Sequence, residues 1–235
     1  ATLLFDMQHC PSRFICMLGA ADPKLDIREI ALEGLFPDED QRKAVSKSLN
    51  LKYPKLADML DYIIQQQPAV LDSASVGGSK LLFPSKSYVA MIKFLLRCFE
   101  ADMKQNNLVE GGNFSAAVEK LCLLLEHAMV YEGSADLHAN SSKALISVGS
   151  HMPQVIASRY VDKVAWMKQF LGHIDFDTRE SMSRLIGIAS CSLPLHGLSD
   201  LVSELIAQIG TAPKLRFEMQ HGVLCTLGYV TANCM

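Results

Sequence analysis

DIREIALEGL, Asp26 to Leu35, opens on an acid, places a basic residue two positions later, and then spaces Ile27, Ile30, Ala31 and Leu35 as one face of a helix. An acid in the first turn suits a helix start, because it accepts hydrogen bonds from N–H groups that have no intrahelical partner and complements the positive end of the helix dipole. The spacing predicts an amphipathic helix with Asp26 as its N-cap. Glu29, three residues on, completes a capping box built on Asp, and Glu180 does the same after Asp177.

The pattern recurs. Asp26-Ile27-Arg28 aligns with Asp136-Leu137-His138, Asp177-Thr178-Arg179 and Glu218-Met219-Gln220. Three residues past the third member stand Ala31, Ser141, Met182 and Val223, and seven past it stand Leu35, Leu145, Ile186 and Leu227. His138 and Arg179 are 41 residues apart, as are Arg179 and Gln220, a period within the range of HEAT and armadillo repeats. Arg28 precedes His138 by 110 residues, two periods and 28 more. The surplus is expected in Phe36 to Tyr53 and in a flexible loop near 68–85, whose SASVGGSK run (Ser73 to Lys80) is small, polar and glycine-rich.

The nine prolines fall at breaks in helical periodicity, and no long alternating run suggests a strand. Leu198, Leu201, Val202, Leu205 and Ile209 form one stripe, and Ile156, Tyr160, Val164, Met167 and Leu171 another. Between Tyr88 and Phe99 two apolar stripes lie on opposite sides, so that helix needs neighbours on both. The reading is an all-α chain, 1–235, forming a single α-solenoid segment of antiparallel helix pairs. The pairs are a first ending near Leu35, then Pro54–Gln67 with Ser85–Lys104, Phe114–Tyr131 with Asp136–Gly149, Gln154–Leu171 with Asp177–Ser190, and Gly197–Ile209 with Leu215–Thr231. The Arg or His after each acid is expected to reach an acid of the next repeat. Ala1 at the start and an amphipathic pattern running to Met235 predict a section of a longer chain.

Of 235 residues 49% are hydrophobic and 20% charged, with a net charge of -3, which argues against disorder and gives nucleic acid no electrostatic footing. The seven cysteines are odd in number and scattered through apolar patterns, as in a reduced cytoplasmic or nuclear protein. The most apolar run, Met91 to Phe99, is broken by Lys93 and Arg97 and is too short to span a bilayer. Neither secretory signal nor membrane span is read.

Chemistry finds little purchase. The Ser73–Lys80 run lacks P-loop spacing and a preceding strand. His9-Cys10 with Cys16, and His221 with Cys225, are each half of a zinc site without the other half. Cysteine and histidine are too numerous and dispersed to single out a nucleophile pair. Trp166 reads as core packing, and Arg159, Asp162, Lys163 and Lys168 as one helix's solvated side. No catalytic, cofactor-binding or metal-ligating residue is assigned, and no cofactor is expected.

YVDKVAWMKQFL (Tyr160 to Leu171), EMQHGVLCTLGYV (Glu218 to Val230) and GGSKLLFPSKSYVAMIKFLLRC (Gly77 to Cys98) resemble segments of the very large eukaryotic HEAT-repeat proteasome adaptor and scaffold family. The likeness runs with gaps over most of the chain and is sharpest from Tyr160 onward, where QHG before an apolar helix is its most specific element. The resemblance implies a non-enzymatic scaffold that binds the proteasome core and regulatory particles. The alternative is another HEAT or armadillo scaffold, such as a nuclear transport receptor; a ladder of Asn and Trp on second helices would favour it.

Overall fold

The computed structural model describes residues 6–37, 52–71, 82–105, 112–131, 134–210 and 216–234, and every regular element among them is helical. In chain order these are α1 (Cys10–Gly19), α2 (Leu25–Leu35), α3 (Leu56–Gln66), a 3-10 turn (Pro68–Leu71), α4 (Ser85–Gln105), α5 (Gly112–Val130) and α6 (Ala135–His151). Then come α7 (Pro153–Tyr160), a 3-10 turn (Val161–Lys163), α8 (Val164–Lys168), α9 (Phe176–Ser190), α10 (Leu195–Gly210) and α11 (Phe217–Cys234). The helices read from periodicity are present, Gln154–Leu171 in pieces, and α1 packs on α2, α3 on α4, α7 and α8 on α9, and α10 on α11. Contacts divide the chain into two compact units, Ala1–Ser141 and Ser142–Met235, the division falling within α6.

In the first unit α4 packs against α1, α3 and α5. That explains its doubled stripe: Tyr88, Ile92, Leu95 and Phe99 on one side and Met91, Phe94 and Cys98 on the other are all buried. A run of ring contacts binds the unit, from Tyr62 to Phe14 at 5.7 Å, Phe14 to Phe83 at 6.2 Å, Phe83 to Tyr88 at 5.7 Å and Tyr88 to His127 at 6.3 Å. Such pairs each add about 0.5–1.5 kcal/mol beyond their buried area. Two buried polar side chains close helix ends. Asp102 of α4 accepts the Leu56 N–H at the start of α3 through Oδ2 at 2.8 Å, and Arg13 of α1 donates to the Gly34 carbonyl near the end of α2.

The opening stripe is only half core. Ala31 and Leu35 are buried, but Ile27 and Ile30 are 42% and 51% exposed. A Cβ on Gly19 would stand 3.0 Å from Ala31 Cβ, so α1 meets α2 along the Ala31 side and leaves both isoleucines beyond the contact.

In the second unit α9 packs on α7, α8 and α11, and α10 on α11. Ile156, Tyr160, Met167 and Leu171 are buried as read, and so are Leu201 and Leu205. The expected single helix Gln154–Leu171 is instead α7, a 3-10 turn and α8. Residues six apart on an unbroken α-helix lie about 120° apart around its axis. The overwound 3-10 turn shortens that separation, and Tyr160 and Trp166 come to lie nearly parallel with ring centres 6.3 Å apart.

The repeated acids fall at one structural position, the second residue of α2, α6, α9 and α11. They are therefore not N-caps. Lys24 and Asp175 hold that place for α2 and α9. Asp175 Oδ2 accepts the Thr178 N–H at 2.7 Å, and Ser134 Oγ accepts the Leu137 N–H at 3.3 Å at the start of α6. The capping boxes on Glu29 and Glu180 fail for the same reason, since counted from the true caps neither glutamate is at the third helical position. A favourable dipole term remains for each acid, about 0.3–1 kcal/mol.

The basic residue two places on turns backward, to carbonyls of the preceding turn. Arg28 donates to the Asp22 and Pro23 carbonyls at 2.9 and 3.1 Å, Arg179 to those of His173 and Ile174 at 2.7 and 2.9 Å, and His138 Nε2 lies 2.6 Å from the Tyr131 carbonyl. Carbonyls in a turn have no helical partner, and a long donor one turn into the following helix reaches them. Ion pairs join neighbouring repeats: Lys143 to Asp177 at 2.5 Å joins two second helices, while Lys120 to Asp61 and Lys168 to Glu204, both 2.6 Å, join first helices or their extensions.

Of the expected loop near 68–85, residues 68–71 form a helical turn and Phe83 is buried against Phe14 and Tyr88, so both ends are anchored. Residues 72–81, which include the Ser73–Lys80 run, lie outside the described residues, as does most of Phe36–Tyr53.

Candidate protein-binding surface

At the entry to α9 and α11 an exposed aromatic patch is assembled from two repeats. Phe176 and Phe217 are the first residues of their helices, each one place before the repeated acid, 41 residues apart. Phe176 is 51% and Phe217 70% exposed. Ile174, in the turn before α9, is 81% exposed. Between the two rings lies His221, 4.9 Å from Phe176 and 6.3 Å from Phe217. The buried Arg179 guanidinium stands 5.8 Å over the Phe176 ring, a cation–π distance, with Nε 3.5 Å from His221 Nδ1. Exposed aromatics backed by a fixed arginine are the composition of protein-binding hot spots. Sequence reasoning passed over the patch, although the 41-residue recurrence of Phe before the acid was legible; Leu25, exposed at the same position of α2, repeats it.

Cys225 lies beside the patch, with Sγ 3.5 Å from His221 Nε2. Burial pushes the Cys225 thiol up, helped by Glu180 and opposed by Arg179. The other half-cluster also disperses: His9 meets Ser12 Oγ at 2.6 Å, Cys10 faces the Gln8 carbonyl and Cys16 is buried. Among the described residues no three His, Cys, Asp or Glu side chains converge to hold a metal, and no helix is long and apolar enough to cross a membrane. Trp166 packs between Tyr160 and Phe170. Of the charged set, Lys168 binds Glu204, while Arg159 and Lys163 lie over the Tyr160 ring at 5.9 and 5.4 Å.

Residues 137–235 match the family described as ECM29, ARM-like repeats. These residues are similar to ECM29-type repeats. Over 99% of its length the chain aligns with the human "Proteasome adapter and scaffold protein ECM29" at 19% identity, and it spans 14% of that relative's length. No solved structure matches the chain. The ECM29 match covers α6 from Leu137 to the end of α11, which fits an α-solenoid built of the 41-residue helix pairs described above. It also gives the Gln220-His221-Gly222 run a physical reason. A Cβ at Gly222 would stand 2.1 Å from the Leu171 carbonyl oxygen, so only glycine lets α11 lie against the turn after α8, and His221 then falls between the two phenylalanines.

Proposed function

We propose that this chain is part of a non-enzymatic scaffold that binds the 26S proteasome and stabilises the association of its core and regulatory particles, in the cytoplasm and the nucleus. The alignment along nearly the whole chain with a protein named as a proteasome adapter and scaffold carries the reading. The repeat architecture supports it: helix pairs that shield one another by stacking leave an extended surface, which suits docking more than a convergent pocket does. The test uses the full protein that contains this segment, mixed with purified core and regulatory particles and resolved by native electrophoresis. Co-migration with the proteasome and a larger fraction of core particle bound to regulatory particle are expected. A scaffold that leaves both particles unbound and their association unchanged would refute the proposal. Imaging of the tagged full protein checks the compartment.

A further inference from the structure

The C-terminal ends of α9 and α11 bring together two thiols that the packing alone does not call for. Cys191 directly follows α9 and Cys234 closes α11, and their Sγ atoms are 3.9 Å apart. Closing to a disulfide, at about 2.05 Å, needs a movement of about 2 Å, within reach of side-chain rotation.

Helix packing holds the pair in place. One turn before Cys191, a Cβ on Gly187 would lie 2.8 Å from Tyr229 Cβ and 2.9 Å from Asn233 Nδ2, so α9 and α11 cross at a separation that only glycine permits. Cys191 Sγ lies 3.6 Å from the Gly187 and Asn233 carbonyls, either of which can accept its single proton, and Ser190 Oγ lies 3.2 Å from Cys234 Sγ. Cys191 is exposed and Cys234 half-buried, whereas Cys16, Cys98 and Cys122 are buried.

We propose that Cys191 and Cys234 form a redox-sensitive site, closed to a disulfide by a peroxide and reopened by thiol reductants. The Cys191 sulfur gives up its proton as it attacks an oxygen of hydrogen peroxide and breaks the O–O bond, giving a sulfenic acid and a hydroxide that takes that proton and leaves as one water. The Cys234 sulfur then displaces the sulfenic hydroxyl, which takes the Cys234 thiol proton and leaves as a second water. Both sulfurs are oxidised by one electron each and the peroxide takes up both. The closed bond ties the ends of two adjacent second helices, so the oxidised repeat pair resists unfolding more than the reduced one.

The test exposes the full chain to hydrogen peroxide and maps its cysteines by mass spectrometry after non-reducing digestion. A Cys191–Cys234 cross-linked peptide is expected, lost on adding dithiothreitol, absent in Cys191→Ser and Cys234→Ser, retained in Cys225→Ser, and accompanied by a higher urea midpoint for the oxidised chain. Gly187→Ala, checked for retained helicity, is expected to lose the cross-link by spreading the helices. Sulfinic acid at Cys191 without a cross-link, or disulfides between molecules in place of the internal one, would overturn the proposal.

Discussion

Arg179 shows how one side chain secures a turn. Its NH1 holds the carbonyls of His173 and Ile174, and its body is buried. Arg179→Ala strands both acceptors and is expected to cost about 1.5–3 kcal/mol in urea unfolding, whereas Arg28→Ala, whose carbonyls are more exposed, costs about 1 kcal/mol or less. Glycines separate as sharply. Gly222→Ala drives a methyl into the Leu171 carbonyl and is expected to destabilise by about 3 kcal/mol, while nothing lies within 4 Å of a Cβ at Gly228, so Gly228→Ala stabilises α11 by about 0.5–1 kcal/mol. Thermal melts of the two variants should move in opposite directions. His127, in edge contact with Tyr88, has its pKa lowered by burial. Its folded pKa therefore lies below the unfolded value, so the stability it contributes is present above about pH 6.5 and is lost as acid protonates it. Urea midpoints should fall between about pH 7 and pH 5, and His127→Gln should flatten that slope.

Among the elements, α3 depends on a neighbour for its start. Lys55, its N-cap residue, makes no side-chain cap, and Asp102 on α4 supplies the acceptor from 46 residues away in sequence. Burial raises the Asp102 pKa, against the Leu56 N–H and Lys55, which favour the carboxylate. A neutral acceptor keeps the hydrogen bond without the desolvation cost, so Asp102→Asn is expected to hold stability at pH 7, while Asp102→Ala loses about 1 kcal/mol, read from urea midpoints. The existence, order and ends of most helices were legible in the sequence because stripe spacing and proline positions are local signals. The break between α7 and α8 was not, since no breaker residue marks it.

For the whole chain the governing fact is that helix pairs bury one another by stacking, and apolar side chains without a neighbour stay in water. Ile15, Leu25, Ile27 and Ile30 are exposed on the first pair, and Phe217 and Leu224 on α11. The 235-residue chain by itself is therefore expected to bind apolar dyes and self-associate, with an apparent mass in sedimentation that rises with concentration. A monodisperse monomer with no dye-accessible patch would contradict this.

The sequence by itself determined the all-α class, the 41-residue register and the set of buried positions three residues past each aligned Arg, His or Gln, because periodicity encodes which side of a helix leaves water. Only the tertiary structure decided what the repeated acid and base do, which face of α2 is core, and that Phe176, His221 and Phe217, or Cys191 and Cys234, become neighbours. Those outcomes depend on how closely one helix approaches another, at Gly187 and Gly222 above all, and a distance between helices is set by both partners at once.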